Sequence, residues 1–318
     1  MRYIIIGGSG FVGTELIKEL LPKHKKNIIV LDIVPPSQDV AYEKQDIKQK
    51  LTFDFLPSDI VIHLAANQYH HKVPKKCRQE FFEETNTQGT ENILKKMLSN
   101  GAKNMVFFST DMVYGKPQYL PVDTVHPKQP FGYYGKSKMK AEQMCYKYRE
   151  KGFNITIFRP RMIVGRGRFG ILIKLFKLIT LNLPVPMIGS GNNCYQMISV
   201  NDCAQAILKA IEHNFPNHEY NLGSYNPPKV KELLKSIIKQ NKSKSILIPT
   251  PGKFVKLCLK MLGVFGLEIM YKEQYMIADE NYLIDISKTE KELGWHPQFD
   301  DTSMLQAAFE EYEKQNKR

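Results

Sequence analysis

Residues 2–13 read RYIIIGGSGFVG. Tyr3 and three successive isoleucines form a β-branched, continuously apolar run, the pattern of a strand buried on both faces. The run ends on Gly7, Gly10 and Gly13, in the order G-x-x-G-x-x-G. Phe11 and Val12 then open FVGTELIKELLPKH, whose apolar residues recur at helical spacing. A strand that turns through glycines into a helix can bring its backbone close to a pyrophosphate. The helix N-terminus offers the free N–H groups that such a group accepts.

Outward from this point the rhythm repeats. NIIVLDI, DIVIHLAA, NMVFFST and NITIFRP read as further strands. TNTQGTENILKKMLSNG and YYGKSKMKAEQMCYKYREKG read as helices that end at Gly101 and Gly152. Alternating buried strands and helices predict an α/β protein with a doubly wound parallel sheet of the Rossmann kind. After Pro160 the alternation breaks into helix, Pro/Gly-rich turn and mixed segments. This part predicts a smaller mixed α/β lobe over the C-terminal edge of the sheet. We expect residues 1–165 and 198–224 in the dinucleotide-binding domain, and 166–197 and 225–318 in the substrate lobe.

Asp32 closes the second strand, nineteen residues after Gly13. A carboxylate there accepts the adenosine ribose hydroxyls and repels a 2′-phosphate, so NAD is expected over NADP. Asp46 and Ile47 fall where the next strand should end and suit an adenine contact. Leu64, Ala65 and Ala66 end another strand with small residues, which lets a cofactor lie against the backbone.

The bulk properties narrow the class. The chain has 318 residues, enough for real cores, and a net charge of +13. Its lysines are spread along the chain without a nucleic-acid-binding motif, so nucleic acid is not expected; the charge suits anionic small molecules or is an ordinary lysine-rich surface. Five scattered cysteines without C-x-x-C suggest reduced thiols and a cytoplasmic setting. The pair His70-His71 lacks further ligands at metal spacing, so no metal is expected. No targeting segment and no membrane-length apolar run is visible. KFVKLCLKMLGVFGL (253–267) is both basic and apolar, a composition compatible with membrane or a lipid-linked substrate. Its plainer reading is a helix packed on the second lobe, and membrane contact is not expected.

Tyr134 and Lys138 stand in Y-x-x-x-K at the start of a predicted helix, where i and i+4 share a face. Tyr225 and Lys229 repeat the spacing, but Pro227 and Pro228 lie between them and forbid one regular helix. A free phenol titrates at about 10, too high for a base at neutral pH. A neighbouring ammonium and a bound nicotinamide cation favour the phenolate. A Tyr so tuned can take a hydroxyl proton while hydride leaves the same carbon. Thr110, at the end of NMVFFST, can hold the reacting oxygen.

Taken together, GGSGFVG, Asp32, DIVIHLAA, TNTQGTENIL, STDMVYG, YYGKSK, RPRMIVG, SVNDCAQA and DISKTEKELGWHP resemble an extended short-chain dehydrogenase/reductase. The resemblance is to the NAD-dependent nucleotide-sugar epimerase/dehydratase family and spans nearly the whole chain. It implies Thr110, Tyr134 and Lys138 as the catalytic set, with Lys138 also on the nicotinamide ribose and Asn86 near the site. It implies a homodimer built from the helices matching 85–99 and 134–150. Family dehydratases and decarboxylases carry Glu where this chain has Met112 beside Asp111, and a thioether cannot act as a base. The expected reaction is therefore epimerisation of a nucleotide sugar through a 4-keto intermediate. The alternative is net oxidation or reduction of a sugar-nucleotide, sterol-like or lipid-linked alcohol. Asp111 is left between a substrate contact and a structural acid, and Met112 borders the same pocket. Two positions where family epimerases hold the diphosphate with arginine are Tyr195 and Tyr275 here. Arg161, Arg166, Arg168 and Lys272 are the candidates to replace them.

Overall fold

The computed structural model describes residues 1–69, 73–170, 172–265 and 267–316. His70 and His71 lie outside the described residues. The first half alternates as its sequence predicts. β1 (Tyr3–Ile6), α1 (Phe11–His24), β2 (Ile28–Asp32), β3 (Ala41–Lys44) and β4 (Ile60–His63) are followed by α2 (Arg78–Glu83) and α3 (Thr90–Asn100). β5 (Asn104–Phe108), α4 (Tyr133–Arg149) and β6 (Asn154–Pro160) complete this half. Helical structure begins at Arg78, seven residues before the run at Thr85 announced it. The intervening Glu84–Gly89 is a π-helical turn that welds α2 to α3.

The second half contributes β7 (Met162–Val164), α5 (Leu172–Thr180), β8 (Val185–Ile188), β9 (Met197–Ser199) and α6 (Val200–Glu212). β10 (Glu219–Leu222), α7 (Val230–Gln240), β11 (Leu247–Thr250) and α8 (Gly252–Val264) come next. α9 (Lys272–Tyr275), α10 (Ser287–Leu293) and α11 (Asp301–Asn316) end the chain. α7 starts after Lys229, so Tyr225 and Lys229 share no helix.

The central sheet has seven parallel strands in the order β10-β6-β5-β4-β1-β2-β3. Its strand alternation sorts side chains onto two faces. Ile5, Val30, Ile62 and Phe158 pack under α1 and α6, through Leu16, Ile17, Cys203 and Ile207. Ile4, Ile6, Leu31, Val61 and Ile157 pack under α3 and α4, through Ile93, Leu94, Ala141 and Cys145. Both faces of the central strands are covered, which is why those strands carry no polar alternation; the edge strand β3 is mostly exposed. A third core, built from Phe176 of α5, Ile237 of α7 and Phe309 of α11, forms the smaller lobe.

The order reverses at β1, with β2 on one side and β4 on the other. In open α/β sheets the crevice at such a switch point, at the carboxyl ends of the strands, is where ligands bind. Every candidate catalytic and cofactor residue read from the sequence comes from a strand end, a loop or the first turns of a helix at that edge.

Candidate active site

At the switch point the glycines make a cradle. Gly7 has φ of +80°, and its N–H donates to the Leu31 carbonyl at 2.9 Å. A Cβ there would lie 2.4 Å from the Ala65 nitrogen. The glycine loop and the Leu64-Ala65-Ala66 strand end therefore touch backbone to backbone, and only glycine permits the contact. Gly10 has an extended backbone at the N-cap of α1, with no side chain capping the helix. A Cβ on Gly13 would meet the Gly8 backbone at 2.5 Å. Phe11 and Val12 begin α1 beside this turn.

Asp32 ends β2 on the rim of the cradle. Its carboxylate accepts from the Ser9 N–H at 3.0 Å and from the Ile33 N–H at 2.7 Å. The same side chain that suits a ribose thus also fixes the loop. Asp46 lies two residues beyond β3 and accepts the Lys48 N–H at 3.0 Å. Ile47 is buried, with its carbonyl accepting from Asn92 at 2.8 Å. The cradle, the uncapped helix N-terminus and Asp32 fit a dinucleotide with free ribose hydroxyls.

Across the crevice, Thr110 follows β5, and the Asp111–Val113 turn packs on α4. Gly135 makes that packing possible, since a Cβ there would lie 2.6 Å from the Met112 carbonyl oxygen. Thr110 and Tyr134 are 24 positions apart in sequence, yet the Thr110 side chain lies close enough to the Tyr134 phenol to favour its ionisation. The Thr110 hydroxyl itself donates to Asp111 at 3.3 Å and accepts the Met112 N–H at 3.2 Å. Gln68 Nε2 donates to the Tyr134 hydroxyl at 2.9 Å. Burial pushes the Tyr134 phenol up, opposed by nearby Arg168, by Thr110 and by the bond from Gln68. Lys138, one helical turn on, is 1% exposed, with its ammonium 4.1 Å from the centre of the Phe107 ring. Burial pulls that ammonium down to about 7.

Asp111 and Arg161 enter the site as a unit. Arg161 is buried, pairs with the Asp111 carboxylate through Nη1, and donates from Nε to the Gln196 carbonyl at 3.2 Å. Its guanidinium lies between the rings of Tyr195, at 4.4 Å, and Tyr282, at 4.0 Å. Burial alone would weaken its charge; Asp111 and the two phenols more than restore it. Tyr282 also donates to the Asp111 carbonyl at 3.1 Å. Arg168 is hydrogen-bonded to Gln68, lies 5.6 Å over the Phe11 ring, and is close enough to Tyr134 to influence it. It therefore bridges the cofactor cradle and the Tyr134 hydroxyl. Arg166 is exposed, and Tyr275 is buried.

Asn86 is buried in the π-helical turn. It accepts from the Asn67 N–H at 2.8 Å and donates to the Asn67 carbonyl at 3.0 Å and to Ser137 Oγ at 2.9 Å. It locks the loop after β4 to α4.

Three residues at this site were not singled out from the sequence. Gln68 and Tyr69 directly follow the HLAAN strand end, so their place at the switch point was a usable signal. Glu273 had none, because YKEQY reads as solvated helix. Glu273 is 2% exposed and touches the start of α4. The Gly135 N–H donates to its Oε1 at 3.4 Å, and a Cβ on Gly132 would fall on that same oxygen, 1.5 Å away. The Tyr69 side chain lies close to it as well, while its Oε2 has no hydrogen-bond partner. Burial raises the Glu273 carboxyl to about 7, against the pull of Tyr69 and the Gly135 N–H.

Residues 3–223 match the family described as "NAD dependent epimerase/dehydratase family". The chain belongs to that family. Its cofactor is NAD, and its fold is that of the extended short-chain dehydrogenase/reductases. It is 29% identical over 316 residues to the N-acetyl-alpha-D-glucosaminyl-diphospho-ditrans,octacis-undecaprenol 4-epimerase of Escherichia coli O157:H7, covering 96% of this chain and 89% of that protein. It is 26% identical over 306 residues to the UDP-glucose 4-epimerase of Vibrio cholerae, covering 92% and 90%. The dTDP-glucose 4,6-dehydratase of Streptomyces venezuelae, solved with NAD bound, superposes with a TM-score of 0.77 over 100% of this chain and 98% of that one, at 21% identity. Among the described residues no helix is long and apolar enough to cross a membrane, and no group of His, Cys, Asp and Glu could hold a metal ion.

Proposed function

We propose that the protein is an NAD-dependent 4-epimerase of a sugar carried on a diphosphate. The observation that carries the reading is the buried cluster of Thr110, Tyr134 and Lys138 with Met112, not an acid, next to Asp111. When bound, NAD supplies a reversible hydride acceptor. The residues supply the rest. Thr110 holds the sugar hydroxyl, and Tyr134 takes its proton as the C4–H bond breaks, which leaves a 4-keto sugar. Turnover of the keto sugar in the cleft and return of hydride and proton to the other face give the epimer.

Burial opposes the Tyr134 phenolate, and the cation that favours it here is Arg168; Lys138, one helical turn on, is our candidate to hold the nicotinamide ribose. Elimination needs a further base beside the ketone. Asp111 is held by Arg161 and does not stand free for that step, and Glu273 is buried at the start of α4. Arg168 reaches toward Tyr134 from the second half of the chain and is our candidate for a diphosphate contact, with Tyr195 and Met112 bordering the sugar. Arg161 and Asp111 set that wall from beneath.

The resemblance to UDP-sugar epimerases favours a nucleotide sugar. A second reading, a polyprenyl-diphosphate sugar, is favoured by the relative that acts on an undecaprenol-linked one and by the replacement of both expected arginines with Tyr195 and Tyr275. The test is an assay of the purified protein without added cofactor on UDP-, GDP-, CDP- and dTDP-sugars and on a polyprenyl-diphosphate sugar. C4 interconversion on one of them is expected, with denatured protein releasing NAD. Stoichiometric NADH formation, or a dehydrated product, would replace epimerisation with one of the other family reactions.

A further inference from the structure

α8 is unusual in this molecule because none of its described residues is buried. Phe254, Leu257, Met261 and, just past its end, Phe265 follow spacings of three, four and four, and so share one face. Their exposures are 64%, 54%, 54% and 77%. Leu267 and Ile269 continue the exposed apolar surface beyond the helix. A contiguous apolar face of this kind on a water-soluble lobe marks a contact surface.

Its charge says what it contacts. Lys253, Lys256 and Lys260 repeat the same three-and-four spacing one position earlier, and so flank the apolar stripe. Lys256 bonds inward, to Asp279 and to the Met276 carbonyl at 2.9 Å, and pins the helix to its lobe. Lys253 and Lys260 are exposed. Between Leu233 and Leu267 there are seven lysines and no aspartate or glutamate. A protein partner would match such a surface with acids and shape. A planar anionic bilayer matches both the apolar stripe and the flanking lysines Lys253 and Lys260 at once.

The face also leads to the cleft. Glu268, next after Leu267, pairs with Arg78 at the start of α2. Tyr271 stacks on Tyr69 at 4.4 Å, and Tyr69 lies 6.0 Å from the Tyr134 ring. Glu273 then meets the start of the catalytic helix. Within nine residues the chain passes from the exposed apolar face to the wall of the site.

We propose that α8 and the segment following it dock the protein on the surface of an anionic lipid bilayer, with Phe254, Leu257, Met261 and Phe265 entering the headgroup region. The helix lies on the membrane and does not cross it. The docked face presents the cleft to the bilayer, where a diphosphate sugar on a lipid would be reached without leaving it.

The experiment is co-sedimentation of the full NAD-loaded chain with vesicles of phosphatidylcholine, alone or with one third phosphatidylglycerol, at low and high salt. We expect binding to the anionic vesicles, weaker by about tenfold on the neutral ones and reduced by salt. Phe254→Ser with Leu257→Ser should cut it by about tenfold, with NAD content and melting temperature unchanged. Lys253→Gln with Lys260→Gln leaves the apolar stripe whole and should erase much of the difference between the two vesicle types. Absence of binding to anionic vesicles, or binding that both variants keep in full, overturns the proposal. So does a wild type that ignores vesicles while the Phe254 and Leu257 variant changes from dimer to monomer on sizing, since the face then joins two copies of the chain. Vesicle binding is read without turnover, so it stands or falls separately from 4-epimerisation.

Discussion

The cleft has two walls, and they are built differently. The wall from the seven-stranded sheet is made of loops and helix starts at strand ends: a glycine turn after β1, Thr110 after β5, the start of α4 with Tyr134 and Lys138, and Arg161 after β6. The wall from the second half of the chain is made of single residues such as Arg168, Tyr271 and Glu273. Buried charge differs in the same way. Behind the sheet wall, Glu142 is fully buried and ringed by cations: Arg159 at 2.9 and 2.8 Å and Lys128 at 3.0 Å, with Ser109 donating at 2.6 Å. Burial would raise its carboxyl, but those partners hold it at about 2. At the lobe wall, Glu273 lacks such partners and rises to about 7. The two buried glutamates thus differ in their pairing: Glu142 is held ionised by three charge-assisted bonds, and Glu273 is left to titrate near neutrality.

The comparison is broken most directly at the sheet wall. Tyr134→Phe should lower turnover by about 10³-fold, within the range for a lost general acid/base. NAD content of the purified protein should not change, because the cradle is untouched. If turnover survives, the phenol is not the proton carrier.

Next is the joint between the walls. Arg161→Met leaves Asp111 as a buried charge without its partner, which typically costs about 3–5 kcal/mol of stability. Thermal unfolding would show it, and Arg161→Met with Asp111→Leu should recover much of the loss. No change in unfolding would mean that the pair is replaceable and the walls are independent.

Glu273 tests the lobe wall through pH. Its folded carboxyl titrates at about 7, above the ordinary 4.5. The folded state therefore holds this proton more tightly than the unfolded chain does. Its contribution is fully present below about 4.5 and is lost as pH rises through 7. Glu273→Gln keeps the neutral shape and cannot ionise. Relative to wild type, the variant should gain stability as pH rises from 5 to 8, by on the order of 1 to 3 kcal/mol in thermal unfolding, and gain nothing in acid. Asp202 and Asp301, each raised to about 6 by burial, bend the wild-type curve in the same direction and are common to both proteins. A pH-independent difference would show that Glu273 is paired after all.

What was legible follows the same division. Residues 2–13 announced the first strand, turn and helix because glycine is needed where backbones touch, as at Gly7 against Ala65. Tyr134 and Lys138 were legible because helix periodicity puts i and i+4 together, and Pro227 and Pro228 ruled out the competing pair. Sequence periodicity says nothing of which distant loop reaches a helix start. Glu273 was invisible for that reason, and so was the Asp111 and Arg161 pairing, 50 positions apart. The helical run before Thr85 was missed because a π turn shifts the apolar spacing out of the 3.6 register. The stretch 253–267 was legible as basic and apolar, but only the fold shows its apolar face outward.

The smallest expected effect sharpens the sheet wall itself, by separating its two tasks. Asp32 is read as the residue that selects NAD, yet it also accepts the Ser9 N–H and so shapes the glycine loop. Asp32→Ser removes the charge that repels a 2′-phosphate but keeps a hydroxyl for hydrogen bonding. Affinity for NAD over NADP should fall by roughly tenfold, measured by fluorescence titration of protein stripped of cofactor. Losing the bond to Ser9 should cost about 1 kcal/mol in thermal unfolding. Turnover with saturating NAD should stay near wild type, because Thr110, Tyr134 and Lys138 stand across the crevice. Asn at the same position separates the two roles: it keeps an acceptor for Ser9 but carries no charge. If Asp32→Asn restores stability and still loses selectivity, the charge reads the cofactor and the hydrogen bond builds the loop. If both variants keep the preference for NAD, the selection lies elsewhere on the rim, and the glycine cradle was legible as a fold signal more than as a cofactor code.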